Sequence, residues 1–282
     1  MEDRKPELLP EDYTDPACPF CTDAYENKPS PRQIPIGRIM EKLDGYYASD
    51  DSAAAERHIL YWLSEASANG DEAGEFTLRN ELMGLYRKCG RTEEAKAEAE
   101  KTLSLARRLG ILDRLEGGTA LLNAATVCKA CGEPEKSIHL FEQAQEVYDR
   151  LLGPDDPRRA GLHNNMGLTL CDLRRFAEAR ESYRTAIRIL NGRGDGQTEE
   201  AITWLNLASL AETQYGLESD RAQEEIAECL RNAEERLECG NERTDGDYAF
   251  ACEKCAQVFG HYGYFMTESV LKERAKKIYE RT

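Results

Sequence analysis

The sequence predicts an all-α protein built as an array of about six helical hairpins. Three observations carry that expectation. Apolar residues recur at three- and four-residue steps through most of the chain, the spacing of one face of an α-helix. Similar segments return at a near-constant step: Gly90 to Gly132, Ala125 to Gly167 and Phe141 to Tyr183 are each 42 residues, and Gly167 to Ala208 is 41. Such a period marks stacked supersecondary units, each too small to bury its own apolar face and stabilised by its neighbours. Seven of the ten prolines lie at or before Pro35, so the helical pattern begins only beyond them.

Residues 1–33 read as an arm, either disordered or lying extended along the array, with Tyr13, Phe20 and Tyr25 as its apolar grip; residues 34–282 read as the repeat domain. The first hairpin, about 34–70, places Ile36, Ile39, Met40, Leu43 and Tyr47 on one helix and Ala55, Ile59, Trp62 and Ala66 on the next. Its turn and N-cap fall at Ser49-Asp50-Asp51-Ser52, and Asn69-Gly70 ends it. The second, about 76–110, carries Leu82, Met83 and Tyr86, stops at Cys89-Gly90 and resumes with Ala95, Ala99, Thr102 and Leu105. In the third, about 118–152, Ala124, Ala125 and Cys128 lead through Gly132-Glu133-Pro134 to Ser137, Phe141, Ala144 and Tyr148. The fourth, about 160–192, pairs Met166, Gly167 and Leu170 with Ala179, Tyr183 and Ala186. The fifth, about 201–238, has Trp204, Leu207, Ala208 and Ala211, a longer turn around Tyr215-Gly216-Leu217, then Ala222, Ile226, Leu230 and Ala233. The sixth, about 247–281, runs from Tyr248, Cys252, Cys255 and Phe259 through Gly260-His261-Tyr262-Gly263 to Val270, Leu271, Ala275 and Ile278.

With 40% hydrophobic and 32% charged residues, the chain can bury a continuous core and stay in water. Its formal net charge of −16 repels nucleic-acid phosphates and anionic lipid, so neither nucleic acid nor a membrane is an expected partner. The opening residues MEDRKPELLPEDY lack the basic start and apolar run of a secretory signal, and no stretch approaches the roughly 18 apolar residues of a membrane span. A cytoplasmic location is expected, with most of the ten cysteines as free thiols.

The spacing Trp204-x2-Leu207-Ala208-x2-Ala211, with Met166-Gly167-x2-Leu170 and Ala179-x3-Tyr183-x2-Ala186, resembles the tetratricopeptide repeat signature. Small residues such as Gly167, Ala125, Ala208, Ala179 and Ala186 let two helices approach closely, while Tyr183 and Phe141 fill the gap between hairpins. These repeats exceed the usual length of about 34 residues by about eight, roughly one extra turn per helix. The longer form resembles the repeats of kinesin light chain and of many bacterial signalling proteins. Leu152-Gly153-Pro154-Asp155-Asp156-Pro157 followed by Leu162-His163-Asn164-Asn165-Met166 looks like that subclass, with Asp156 where a histidine is usual. The resemblance implies a right-handed α-α superhelix, in which the first helix of each hairpin lines a concave groove that holds a peptide or partner segment.

On those first helices Asn80, Asn123, Asn165 and Asn206 recur at steps of 43, 42 and 41, with Asn164 beside Asn165. Asparagine is a weak helix former, so something other than propensity favours it there. One reading is a ladder of amides that donates to and accepts from the backbone of an extended ligand. The other is that the asparagines bond neighbouring helices or belong to the repeat consensus. Arg79, Arg87, Lys88 and Lys129 fall near the expected groove in the second and third hairpins, and Asp172 and Glu212 at similar offsets in the fourth and fifth. This is either a polarised groove that draws the acidic end of a peptide toward the N-terminal repeats, or a solvated charged face.

Three Cys-x2-Cys pairs occur, Cys18/Cys21, Cys128/Cys131 and Cys252/Cys255. The last two lie on expected helices, where packing explains them. The first sits in the arm, where it could share zinc with Cys252, Cys255 and His261 if the arm reached the last hairpin. No HExxH, P-loop, strand-borne GxGxxG or G-x-S-x-G is present, and the four histidines are scattered. The expected function is a non-catalytic scaffold for a peptide or protein segment, without a cofactor. Two alternatives stand beside it. One is a regulatory sensor resembling the bacterial peptide-pheromone receptors, and the other is homo-oligomeric self-association through the arm or last hairpin, with a structural zinc at the cysteine pairs.

Overall fold

The computed structural model describes residues 33–49, 51–239 and 246–280. The expected arm with Cys18 and Cys21, and Asp50 of the first turn, lie outside the described residues. Among these residues twelve α-helices and no strand occur. The chain divides after Leu140, inside its sixth described helix, into two compact units.

The first unit contains α1 (Ile36–Ala48), α2 (Ser52–Asn69), α3 (Glu72–Lys88), α4 (Thr92–Leu109), α5 (Leu115–Ala130) and the start of α6 (Pro134–Leu151). Asp51 begins α2 by accepting from Ala54 N at 2.9 Å. The buried Asp71 does more: it accepts from Gly74 N at 3.0 Å to begin α3 and from Ile34 N at 2.8 Å, fastening the residues before α1 to the second hairpin. The core is the expected apolar stripe, with Leu43, Ile59, Leu82, Met83, Ala106, Ala124 and Ala125 each 1% exposed or less. Burying a leucine or isoleucine contributes roughly 2 kcal/mol, several times a surface ion pair, so the apolar stripes set the stacking rather than the many charge pairs around them. Ser137 completes the third hairpin by donating to Ala125 O at 2.8 Å across the α5–α6 turn.

The second unit contains the rest of α6, then α7 (Pro157–Asp172), α8 (Phe176–Leu190), α9 (Gln197–Tyr215), α10 (Asp220–Cys239), α11 (Gly246–His261) and α12 (Phe265–Tyr279). Helix α7 opens on Pro157, whose missing N–H would be unpaired there anyway, and Asp156 accepts from Arg158 N at 3.0 Å. Gly167 lets α7 and α8 close: a Cβ there would fall 2.5 Å from Cε1 of the fully buried Tyr183 ring. In the turn after α7, Arg174 has φ 57°, the left-handed conformation that Gly90 and Gly132 take after α3 and α5. Between α9 and α10, Glu200 is 3% exposed and lies 3.1 Å from Arg236 Nε. Arg274 of α12 donates to Leu237 O at 3.2 Å and to Tyr248 Oη at 2.9 Å, joining α10, α11 and α12. Of the apolar residues expected on inner faces, Ile36, Met40, Tyr47, Trp62, Cys128 and Trp204 are only partly covered, and Val270 is 51% exposed.

Candidate functional site

The first helix of each hairpin carries the asparagines, and the structure pairs them within each unit. In the first unit Asn123 Nδ2 of α5 donates to Asn80 Oδ1 of α3 at 3.2 Å. In the second, Asn206 Nδ2 of α9 donates to Asn164 Oδ1 of α7 at 2.9 Å. The partner of Asn206 is therefore Asn164, not the Asn165 that the steps of 42 and 41 select. Asn165 donates to Gly161 O of its own helix at 2.9 Å. A carboxamide offers two N–H donors and two acceptor lone pairs, and a rung of this kind uses one donor and one acceptor of the pair. All four rung residues are half-buried, so the remaining capacity borders solvent.

The surrounding charges are more committed than their sequence offsets suggest. Arg87 is exposed and Lys129 half-buried, while the Lys88 ammonium lies 5.2 Å from the Tyr47 ring centroid. Arg79 pairs with Glu75 of its own helix at 2.7 Å and with Glu98 of the outer helix of its hairpin at 2.8 Å. Burial, then Asp44, raises the Glu81 carboxyl above the usual carboxylate range, with Lys88 opposing. Burial, then Glu81 and Asp44, pushes the Tyr47 hydroxyl up to about 12.

In the second unit Asp172 is exposed at the end of α7. Glu212 of α9 is engaged: Tyr262 Oη donates to it at 2.8 Å, and His261 Nε2 lies 3.0 Å away. These partners are 49 and 50 residues distant, so no local spacing reveals them.

Cys252 and Cys255 are buried in α11, and burial pushes the Cys255 thiol up to about 12 and raises Cys252 as well. Such thiols resist the deprotonation that metal binding or redox chemistry requires. Burial likewise raises Cys128 and Cys131. Among the described residues no three His, Cys, Asp or Glu side chains gather as a metal site. None of the described helices is long and apolar enough to cross a membrane.

The tetratricopeptide repeat family model matches residues 75–150 and 118–192. Over 168 residues, 57% of this chain, the sequence is 26% identical to the Arabidopsis thaliana protein kinesin light chain-related 3, of whose length it spans 25%. Among solved structures, BtubC (BKLC) from P. vanneervenii is similar at a TM-score of 0.62 and 20% identity, over 74% of this chain and 83% of that one. The apo form of RapI is similar at a TM-score of 0.50 and 13% identity, over 88% of this chain and 100% of that one. At these identities the structural likeness speaks for fold alone, and it agrees with the stacked helical hairpins described above. Residues 75–192 thus match tetratricopeptide repeats, and the chain is similar in sequence to a kinesin light chain-related protein and in fold to BtubC.

Proposed function

We propose that the chain is a non-catalytic scaffold that holds an extended peptide or protein segment against its inner helices, without a cofactor. The observation that carries this reading is the recurrence of one asparagine rung in each unit, with amide capacity left over at the solvent edge. Spare donors and acceptors in each rung suit the backbone of an extended chain, which presents the same groups whatever its side chains. In the first unit the contact residues are Asn80, Arg87, Asn123 and Lys129; in the second they are Asn164, Asn165, Asp172 and Asn206.

Titration of the full chain against a peptide library tests this. Asn123→Ala or Asn206→Ala should weaken the selected peptide about three- to tenfold, the equivalent of one or two hydrogen bonds. Unchanged affinity beside a lowered melting temperature would make the rungs purely structural and remove the reading. A second reading, raised by the sequence resemblance, is a sensor whose array changes curvature when its peptide binds. Solution scattering with and without the selected peptide decides it, because an unaltered radius of gyration argues against a switch.

A further inference from the structure

The asparagines of the second unit stop at Asn206, although the stack of inner helices continues to α11. Helices α9 and α11 pack side by side, and their sequences superpose at a step of 44 residues, which sets Trp204 on Tyr248, Ala208 on Cys252 and Ala211 on Cys255. Burial follows the same register, since Ala208, Ala211, Cys252 and Cys255 are each 1% exposed or less. At that step Asn206 falls on Phe250. The place that bears an amide on α9 therefore bears a phenyl ring on α11, and the ring is 56% exposed.

Packing does not account for it. The core side of α11 is filled by Tyr248, Cys252, Cys255 and Phe259, each 1% exposed or less. Phe250 stands off that stripe beside the exposed Glu253 and Lys254, with the Lys254 ammonium 5.3 Å from its ring centroid. A lone surface aromatic is ordinary, but this one extends the row of positions that carries Asn123 in the first unit and Asn206 in the second. A phenyl ring offers no strong donor or acceptor to a peptide backbone, whereas it gains by covering its apolar area with another apolar group. A ligand lying along the row is thus met by hydrogen bonds at Asn206 and by side-chain packing at Phe250. Neighbouring helices lie about 8–10 Å apart and an extended chain advances about 3.3 Å per residue, so about three ligand residues separate the two contacts.

We infer that Phe250 is a specificity-determining residue of the peptide groove: the segment held there carries a large apolar side chain, aromatic or long aliphatic, about three residues from the one whose backbone meets the Asn164–Asn206 rung. This inference rests on the proposed holding of a peptide by the inner helices and adds the chemical class of the ligand.

A random dodecapeptide phage library panned on the full chain and on Phe250→Asn tests it. The substitution restores an amide at an exposed position where folding is not at stake. Peptides selected by the wild-type chain should share Phe, Trp, Leu or Met at one fixed position, and those selected by Phe250→Asn should not. Exchanging that residue for alanine in a selected peptide should weaken binding to the wild-type chain about fivefold or more by fluorescence anisotropy, and binding to Phe250→Asn by less than about twofold. Asn206→Ala should weaken the parent and alanine peptides alike. Selected peptides with no shared apolar position, or an equal alanine loss in both proteins, overturn the inference and leave peptide holding intact. A wild-type dimer that becomes a monomer in Phe250→Asn, read by sedimentation, also overturns it by giving the ring to a second copy of the chain. Failure to select any peptide sensitive to Asn206→Ala removes both readings.

Discussion

The α7–α8 and α9–α10 hairpins are adjacent in sequence and answer the same problem differently. In the first, contact is set by the absence of a side chain: Gly167 gives its Cβ space to the buried Tyr183 ring, and the turn is so tight that Arg174 takes a left-handed conformation. In the second, Ala208 stands where Gly167 does, a buried carboxylate meets Arg236, and the turn is one residue longer. The first hairpin is tight and intolerant, and the second is looser at its turn. One repeat pattern thus permits both a strained, close-packed unit and a looser one, provided the inner face keeps its register.

Substitutions break this contrast most sharply at the close approach. Gly167→Ala should destabilise the chain by about 1–3 kcal/mol in urea unfolding, because its methyl meets a buried ring rather than a flexible tip. The reciprocal change Ala208→Gly should cost only about 1 kcal/mol, the helix propensity difference. Equal losses would show that the two contacts are equally tight.

Acid comes next. His163 of α7 is 9% exposed, and burial, then Arg159 and Arg188, holds its pKa below the usual 6.5, with Asp149 and Glu181 opposing. The unfolded chain therefore takes up this proton first. The stability contributed by the neutral ring is complete above about 6.5 and is lost as pH falls through the lower folded value, at no more than about 1.4 kcal/mol per pH unit. The α9–α10 hairpin carries no histidine. His163→Leu should flatten the decline in stability just below pH 6.5, and an unchanged slope would acquit the residue.

The smallest effect runs the other way. Arg174→Gly relieves a left-handed arginine and should stabilise the chain by about 0.5–1 kcal/mol, where glycine already serves after α3 and α5. A loss of stability there would mean that the Arg174 side chain has a role of its own.

The fold was legible because period, small contact residues and helix stops agree with one another. Helix starts were not: α3, α5, α7 and α9 begin at Glu72, Leu115, Pro157 and Gln197, three or four residues before the expected hairpin boundaries. Their first turns are largely polar and capped by residues such as Asp71 and Asp156, so apolar periodicity does not see them. The recurrence of asparagine was legible, yet its pairing was not, since choosing Asn164 over Asn165 depends on the phase of a neighbouring helix. The directions of Arg79 and Glu212 were hidden for the same reason, as their partners Glu98 and Tyr262 lie on other elements.

The amide rungs also limit how such a chain can change length. One residue inserted into a helix rotates everything beyond it by about 100°. An insertion early in α5 would therefore swing Asn123 away from Asn80, and one early in α9 would separate Asn206 from Asn164. Insertions and deletions are confined to the turns, as the extended stretch at 216–219 illustrates, or to whole helical turns added in step. The roughly eight residues by which these repeats exceed the usual 34 fit that second rule, one turn for each helix of the hairpin.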